Sequence, residues 1–499
     1  MIHRHSMIYI LVCGLIMAAP LLAPLSAAHA QGAPNLDLDA IDAFLKSCVT
    51  TYHIPGLSIA IVKDNQVVML RGYGEARPGQ PMTPKTQLYL GSVTKSFTAL
   101  AVMQLVERGK LELDAPIQRY LPWFKVADPA ASAQITVRHL LNHTSGLSAA
   151  GDPNASDYPL SLTDQVKALQ NARLTAPVGA QFQYYNQNYR VLGLLIEQVS
   201  GQSFGDYMRA NILGPLQMNS TVAHPADAPN LAQGHSQAFG FPLPRTQPFR
   251  PAALPSGYLI SSAEDMAHYV IALLNDGRYQ DRQLVKPETL AQIFTLPSGI
   301  KSEYGMGWLI AQDKLFGTFY YHSGALENFH AEVLMLPTQK IGIAVLANQS
   351  GAIPMLMTWP NILLDGIGEL ISGRPPKSSP LGWVVLMLTV VTGTDLVIGL
   401  FRLGWLLRRA GQIARRPRRW QWLKALLDLV IPLVVLLGLP MAARLILGEK
   451  GDWRQAFDLL PDVTVWLWAS MTLSLTRGVT RVAIIARHQD NTGPAFARA

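Results

Sequence analysis

Apolar and polar residues follow different patterns in three regions of the chain. Residues 38–372 change repeatedly between apolar periods of two and of three to four, which is typical of a globular domain that combines strands and helices. Residues 381–499 contain long runs that are almost entirely apolar, whereas residues 1–30 hold one shorter run after a basic start. The pattern therefore predicts a globular domain between an N-terminal targeting segment and a C-terminal membrane region.

Within the globular region, apolar periodicity predicts strands first, helices next and strands again. Residues 57–62 and 66–70 are β-rich runs around a polar turn, which predicts a hairpin, and residues 304–346 are again strand-like. Residues 92–108 show helical spacing, with one apolar face made of Phe97, Leu100, Ala101 and Leu105. This order favours an α+β domain or a sandwich-like α/β domain.

The N-terminal segment has the features of a secretory signal peptide. Basic residues at 3–5 precede an apolar run over 8–25, and Ala28-His29-Ala30 supplies the small residues of a cleavage site. Cys13 lies in this segment, so the exported chain keeps only Cys48 and cannot form an internal disulfide. We therefore expect the globular domain outside the cytoplasm.

The C-terminal region is predicted to cross the membrane three times. The chain is 49% hydrophobic and only 15% charged, which is apolar for a wholly soluble protein. A polar, Pro-rich linker at 373–380 precedes apolar runs at 381–401 and 425–443 and a weaker one at 459–476. The first run has 21 residues, enough to cross a hydrocarbon core of about 30 Å.

The net charge of +8 has a local origin. Residues 402–424 carry eight Arg and Lys residues and no acid, which accounts for the whole excess. With the globular domain outside, three spans place this basic loop, together with Arg477, Arg481 and Arg487, in the cytoplasm, as the positive-inside rule requires. The charge therefore indicates membrane orientation and not a nucleic acid partner.

Asp395 and Asp428 fall inside the predicted spans, where a carboxylate is costly. We predict that they pair with Arg477 or the basic loop, or extend to the membrane interface. The alternative is that they belong to a proton or ligand path.

Ser92 and Lys95 form a Ser-x-x-Lys pair at the predicted start of a helix, so they are neighbours on one helical face. A lysine whose pKa is lowered can take the proton of a serine hydroxyl and make it nucleophilic. The helix N-terminus also offers N–H groups to an oxyanion. By itself the motif occurs often by chance, as a capping serine with a solvated lysine.

Later segments supply candidate partners for this pair. Tyr184 has a phenol that can transfer a proton, and Asn186 has an amide that can hold a substrate carbonyl. Residues 321–325 are predicted to form a strand. Gly324 would let a substrate backbone lie close to this strand, and the next N–H would be a second oxyanion donor.

Taken together, these motifs resemble those of class C β-lactamases and the related D-alanyl-D-alanine carboxypeptidases, esterases and D-aminopeptidases. The resemblance covers about residues 40–370, and two further segments, Ile135–Leu147 and Gly214–Met218, contribute to it. It implies an α+β fold of the β-lactamase/transpeptidase type, an antiparallel sheet flanked by helices with a helical subdomain.

The resemblance also implies a role for each site residue. Ser92 would form the acyl-enzyme, while Lys95 and Tyr184 would share the general acid/base work. Asn186 would orient the substrate amide, and the N–H groups of Ser92 and Ala325 would form the oxyanion hole. The substrate-binding strand would consist of His322, Ser323, Gly324 and Ala325.

His322 stands where typical β-lactamases have a lysine. Because the unperturbed pKa of histidine is about 6.5, this side chain need not carry a charge for a substrate carboxylate. The resemblance therefore favours a peptidase or esterase that needs no metal or cofactor. Its partners would be a small-molecule or peptide substrate, such as a wall peptide, an ester or a β-lactam, and the lipid bilayer. Alternatives are a true class C β-lactamase, a sensor acylated without turnover, and a scaffold with a decayed site.

Three other motifs have simpler explanations. The Gly-x-Ser-x-Gly at 201–205 matches a nucleophile elbow, but it follows a predicted helix, so Ser203 is better explained as a helix cap. His139 and His143 have metal-pair spacing, yet Leu140 stands where a metalloprotease has its glutamate, so we predict structural roles. The segment 261–265 is predicted to be a helix N-cap.

Overall fold

The computed structural model describes residues 36–154, 161–350, 359–376, 381–414, 418–447 and 461–490, together with Trp453 and Phe457. The predicted signal peptide and residues 377–380 of the predicted linker lie outside the described residues, and both stay predictions.

The helices are numbered along the chain. Residues Gly91–Val93 form a 3₁₀ turn directly before the second of them. The helices are α1 Leu38–Thr51, α2 Thr94–Glu107, α3 Pro129–Gln134, α4 Val137–Leu141, α5 Leu162–Ala168, α6 Asn186–Ser200, α7 Phe204–Met208, α8 Leu254–Gly257, α9 Ala263–Leu274, α10 Pro287–Ile293, α11 Trp359–Ile371, α12 Leu381–Arg408, α13 Ala410–Ala414, α14 Arg418–Leu447 and α15 Pro461–Asp490.

The strands form one large sheet and three small ones. The large sheet is antiparallel throughout and has seven strands in the order β10-β11-β12-β13-β1-β2-β3. The strands are β1 Gly56–Lys63, β2 Gln66–Arg77, β3 Gln80–Pro81, β4 Leu88–Tyr89, β5 Gly234–Ala238, β6 Phe241–Arg245, β7 Ile260–Ser261, β8 Arg278–Tyr279, β9 Arg282–Gln283, β10 Leu309–Asp313, β11 Gly317–Ala325, β12 His330–Leu336, β13 Ile341–Ala347 and β14 Gln349–Ser350.

The large sheet separates two hydrophobic cores. Alternate residues of β1 point to opposite sides, so Ile59 and Ile61 join the core with α1 and α11, while Ala60 and Val62 join the core with α2, α6 and α9. The predicted hairpin at 57–70 is confirmed as β1 and β2. Together with the helical region on one side of the sheet, this is the predicted α+β fold of the β-lactamase/transpeptidase type.

Helix α2 is confirmed as a helix, but the prediction of a single apolar face was wrong. Every residue from Thr94 to Leu105 is buried, including polar ones. The helix lies in the centre of the domain and packs against α6, α8 and α10, while the end of β11 packs against the preceding 3₁₀ turn. Residues 94–105 therefore have no solvent face.

Both predicted serine caps are confirmed. Ser203 Oγ accepts a hydrogen bond from the N–H of Asp206 at 3.2 Å at the start of α7, directly after α6 ends. Ser262 Oγ accepts from the N–H of Asp265 at 3.2 Å at the start of α9. The Gly-x-Ser-x-Gly segment therefore follows a helix and caps the next one, which excludes the strand-to-helix elbow.

In the part of the chain that the structure describes, two helices are long and apolar enough to cross a membrane, over Val385–Arg408 and Arg419–Gly438. These ranges lie in α12 and α14 and overlap the first two predicted spans. Residues 461–476 of the predicted third span lie in α15, which is less apolar, and this span stays a prediction. Residues 402–424 are not a loop over most of their length, because helical structure continues through 402–408 and 410–414 and resumes at 418.

Helix α15 packs between the other two long helices. Trp466 Nε1 and Ser470 Oγ donate to Asp395 of α12 at 3.1 and 2.9 Å, whereas Asp428 of α14 pairs with Arg477 and Arg481 at 3.5 and 3.1 Å. The predicted pairing with Arg477 is therefore correct for Asp428 and wrong for Asp395. Arg477 lies about 10 Å further along α15 than Ser470, at about 1.5 Å per residue.

Replacing Leu100 by alanine tests the central position of α2. Leu100 is buried on all sides, so we expect Leu100→Ala to lower the free energy of unfolding by about 2–5 kcal/mol. The measurement is chemical denaturation of the purified protein in detergent. The control, Leu296→Ala at an exposed site, should stay within about 0.5 kcal/mol, and equal effects of the two variants would contradict the packing described here.

Candidate active site

Ser92 lies in the 3₁₀ turn before α2, and Lys95 lies in the first turn of that helix. The Nζ of Lys95 is 2.9 Å from Ser92 Oγ. Lys95 is fully buried, whereas Ser92 is partly accessible. The predicted neighbours are therefore in hydrogen-bonding contact, with the hydroxyl reachable from solvent and the amine behind it.

The amine of Lys95 is held from behind by a backbone carbonyl. Lys95 Nζ donates to the carbonyl oxygen of Ser256 at 2.6 Å. That carbonyl is placed by α2 itself, because Thr98 Oγ1 donates to the carbonyl of Pro255 at 2.7 Å and Thr94 Oγ1 accepts from the N–H of Leu259 at 3.3 Å. Three residues of α2 thus hold the short α8 segment next to Ser92.

Burial changes the protonation of Lys95. Loss of hydration lowers its pKa well below the usual value of a lysine, and the nearby guanidinium of Arg190 lowers it further. A neutral amine has a lone pair that can accept a proton from the hydroxyl 2.9 Å away.

Tyr184 closes the other side of the lysine. The Nζ of Lys95 is 4.9 Å from the centre of the Tyr184 ring. Desolvation raises the pKa of Tyr184, and its interaction with the Ser92 hydroxyl has a smaller opposing effect. The phenol is therefore protonated at a pH where the amine of Lys95 is neutral. The Tyr184 side chain is 43% exposed, so this side of the site is open to solvent.

Asn186 is the first residue of α6 and lies two residues after Tyr184. Its side chain is exposed, while the next residues of the helix are buried. The structure thus places Asn186 at the surface beside Tyr184, where an incoming molecule can reach it.

His322 lies on the side of β11 that faces Lys95. It is buried, its Nδ1 donates to the carbonyl of Ser323 at 2.6 Å, and its Nε2 accepts from the hydroxyl of Tyr304 at 3.0 Å. Burial, and then the charge of Lys95, lower the pKa of His322 to about 3. His322 is therefore a neutral side chain whose two ring nitrogens are both used within the protein.

The end of β11 has one open edge. Strand β10 pairs with β11 only as far as Tyr321, opposite Leu309. On the other edge, the N–H of Leu326 donates to the carbonyl of Phe329 at 2.9 Å in the turn before β12. Since bonded and non-bonded pairs alternate in an antiparallel ladder, the N–H of Ala325 points away from β12 and towards the open edge.

Gly324 brings this strand end against the nucleophile. A Cβ at this position would lie 2.0 Å from the carbonyl oxygen of Leu90 and 2.7 Å from the backbone nitrogen of Ser92. A Cβ on Gly91 would in turn lie 2.5 Å from the nitrogen of Ala325. Gly324 therefore permits a close approach to the turn of Ser92. That it also lets a substrate backbone lie close to the strand stays a prediction. Ser323, on the opposite face of the strand, is exposed.

His143 is a site residue that sequence reasoning treated as structural only. Its Nδ1 accepts from the N–H of Tyr185 at 3.2 Å and from Asn188 Nδ2 at 2.9 Å, and its carbonyl accepts from the N–H of Gln183 at 2.8 Å. Its ring centre is 4.5 Å from that of Tyr184. His143 thus fixes the backbone on both sides of Tyr184.

Two further site residues, Tyr304 and Ser256, had no local signal. Tyr304 contacts His322 through its hydroxyl and packs its ring against His143, whereas Ser256 contacts Lys95 through a carbonyl oxygen. Each lies far from Ser92 in the chain. By contrast, the structural prediction for His139 is confirmed, because its Nδ1 accepts from the N–H of Thr136 at 3.2 Å in a capping box at the start of α4.

A family model described as Beta-lactamase matches residues 41–365. This range contains the whole large sheet and every site residue named above. The chain therefore belongs to the Beta-lactamase family of serine hydrolases.

Several known proteins are similar to this chain. Protein flp of Staphylococcus aureus (strain MW2) is 29% identical over 84% of this chain and 85% of its own length. Unguisins hydrolase ungD' of Aspergillus campestris is 29% identical over 61% of this chain and 60% of its own length. The octameric penicillin-binding protein homologue from Pyrococcus abyssi has a TM-score of 0.57 and 30% identity, and the match covers 71% of this chain and 81% of that one.

The similarity to Protein flp reaches past the family domain. The match covers 84% of this chain, which is more residues than the whole segment 1–365 contains. It therefore includes part of the C-terminal helical region. The combination of a β-lactamase fold with the following segment is thus shared with that protein.

Replacing Gly324 by alanine tests the contact between β11 and the turn of Ser92. The added Cβ would collide with backbone atoms, so β11 must move away from the nucleophile. We expect Gly324→Ala to slow labelling by a fluorophosphonate about 100-fold, the size of effect that a displacement of about 1 Å produces in an active site.

A matched glycine substitution provides the control for Gly324→Ala. Gly368 lies in α11 with open space around its Cβ position, so Gly368→Ala should label at the rate of the wild type. Labelling of Gly324→Ala at the same rate would show that the close contact has no part in the site.

Proposed function

We propose that this protein is a membrane-anchored, extracytoplasmic serine hydrolase that cleaves amide or ester bonds through an acyl-enzyme. The observation that carries the proposal is the 2.9 Å contact between the buried amine of Lys95 and the accessible hydroxyl of Ser92. A buried lysine beside a serine at a helix start is a base next to a nucleophile.

In the proposed first step, neutral Lys95 takes the proton of Ser92 as Oγ attacks the substrate carbonyl. The carbonyl oxygen becomes an oxyanion, which the N–H groups of Ser92 and Ala325 stabilise. Membership of the family and the open edge of β11 at Ala325 support these roles. The contact of Gly324 with Leu90 and Ser92 supports them too, since it keeps the two donors close to one another.

In the proposed second step, Tyr184 protonates the leaving group. Its raised pKa supports the role of acid, because the phenol is protonated while the pKa of Lys95 is lowered. The proton on Lys95 then passes to the phenolate of Tyr184, which restores the neutral amine and the protonated phenol. Water then attacks the acyl-enzyme, and the proton transfers of the first two steps run in reverse. Asn186, at the exposed start of α6, orients the substrate amide.

The state of His322 favours a peptide or ester substrate over a β-lactam. A β-lactam carries a carboxylate that a cation at this position would bind, but His322 is neutral and its ring nitrogens are occupied by Tyr304 and Ser323. The similar protein from Aspergillus campestris is named as a hydrolase, which supports turnover over a purely sensory role.

Attachment to a membrane is supported by the C-terminal helices. Two of them have the length and composition of membrane spans, and their outward faces carry exposed apolar side chains such as Val397, Phe401 and Leu437. With the basic residues of 402–424 inside, the starts of α12 and α15 and the whole hydrolase domain lie outside.

Replacement of the proposed nucleophile is the direct test. Ser92→Ala should lose all covalent labelling by a fluorophosphonate, because among the described residues it is the hydroxyl of Ser92 that contacts the amine of Lys95. Mass spectrometry of the intact protein measures the adduct. Ser203→Ala, which removes the serine of the Gly-x-Ser-x-Gly segment, should label normally, and the reverse result would assign the nucleophile to Ser203.

Turnover separates the enzyme from the sensor. After labelling with a penicillin or an ester, the adduct on Ser92 should disappear while product accumulates. An adduct that persists while no ester, peptide or β-lactam is consumed would contradict the proposal and favour the sensor.

The pH dependence of kcat/KM tests the role of Lys95. The base must be neutral, so activity should rise with pH through the lowered pKa of Lys95 and be complete well below about pH 10, where an ordinary lysine titrates. In Arg190→Met the loss of a like charge raises the pKa of Lys95, and the rising limb should move to higher pH.

His322→Gln is the matched control for this pH dependence. His322 is already neutral above about pH 4, since its pKa is about 3, so its replacement should leave the position of the limb unchanged. If the rising part of the pH profile shifts in His322→Gln but not in Arg190→Met, the titrating group is one other than Lys95.

A further inference from the structure

The hairpin of β5 and β6 lies against the outer ends of two C-terminal helices. The N–H of Phe239, in the hairpin turn, donates to Asp462 Oδ1 at 2.7 Å, and Asp462 is the second residue of α15. A Cβ on Gly240, the next residue, would lie 3.0 Å from Val385, where the apolar part of α12 begins. The turn therefore sits where both helices start.

One face of β6 carries two apolar side chains and a cation. Phe241 and Leu243 are 64% and 38% exposed, and they alternate along the strand with less apolar positions. Arg245 follows on the same face, with its guanidinium 5.5 Å from the ring of Phe457, just before α15. Exposed apolar groups next to an arginine are the composition of surfaces that lie in the lipid headgroup region.

The outer edge of β6 is unsuited to a protein strand. Pro242 and Pro244 have no N–H to donate to a neighbouring strand, and β5 already occupies the other edge. Lipid fits this surface better than β-strand addition, because it needs apolar area and no backbone partner.

This hairpin lies at the end of the large sheet where the candidate active site is found. The register joins Ala325 to His330, His330 to Ala347, and Ala347 to Leu57, so these residues share one end of the sheet. The ring of His53, just before β1, is 5.4 Å from that of Phe241.

The base of the hairpin is tied to the turn that follows Ala325. Asn328 Nδ2 donates to the carbonyl of Arg245 at 2.8 Å, and Glu327 contacts Gln247 and Arg250 at 2.8 and 3.0 Å. The end of β11 is thus connected, through one turn and one hairpin, to the outer ends of α12 and α15.

We propose that Phe241 and Leu243 dock the hairpin on the outer leaflet of the bilayer at headgroup depth, so that the catalytic end of the sheet faces the membrane surface. This inference rests on the membrane anchoring in the proposed function. It adds a lipid contact made by the hydrolase domain itself, outside the spans.

The test is site-specific labelling of the full-length protein in nanodiscs. On a Cys13→Ser, Cys48→Ala background, Phe241→Cys is labelled with a nitrobenzoxadiazole fluorophore. We expect a blue-shifted emission and strong quenching by lipids that carry a nitroxide near the headgroup, with weaker quenching by lipids that carry it deep in the acyl chain. Ser92 labelling by a fluorophosphonate reports that the variant is folded.

Two matched sites make the outcomes distinguishable. Val397→Cys, on the exposed face of α12, should be quenched most strongly by the deep nitroxide, and Val67→Cys should not be quenched at all. Val67 is 39% exposed at the opposite end of the large sheet. It pairs with Val62, which lies about 20 Å along β1 from Gly56 at about 3.3 Å per residue.

Quenching at 397 without quenching at 241 would overturn the hairpin contact and leave the membrane anchor intact. An absence of quenching at both positions would overturn the anchor as well. Equal quenching at 241 and 67 would show that the fluorophore binds lipid without help from the hairpin, and it would also overturn the proposal.

Discussion

The burial of the Lys95 amine beside Ser92 is the constraint on which the candidate site depends. An ammonium group in this position would lose its hydration, and the oxygen atoms it contacts among the described residues are the Ser92 hydroxyl and the carbonyl of Ser256. Helix α2 must therefore be enclosed on every side, and its own threonines must hold the α8 segment against it. The same enclosure gives the lysine a lowered pKa.

Around this centre the titratable groups are driven to their neutral forms. Burial lowers the pKa of His143 and His322 and raises the pKa of Tyr184 and Tyr304, so the aromatic and imidazole groups around Lys95 carry no charge of their own. A neutral histidine in place of a lysine adds no further cation to the charge of Arg190 near Lys95. The site therefore suits an uncharged carbonyl group better than the carboxylate of an antibiotic.

The topology of the large sheet determines at which end of the sheet the candidate site lies. Because β10 stops short, the end of β11 keeps an open edge, and Gly324 lets that edge touch the turn of Ser92. The antiparallel register places the same end of the sheet near hairpin β5–β6 and the N-terminal ends of α12 and α15. Polar contacts at Asp395 and Asp428 join the long C-terminal helices to one another.

Features that depend on local chemistry were predictable from the sequence alone. The β1–β2 hairpin, helix α2, the caps at Ser203 and Ser262, and the Ser92–Lys95 pair follow from periodicity and short-range spacing. The full burial of α2, the partner of Asp395, the role of His143 and the contact of Gly324 did not follow. Each joins segments far apart in the chain, as the bond between Lys95 and the Ser256 carbonyl does across 161 residues. Such contacts leave no periodic signal, because only the packing of the whole domain brings the atoms together.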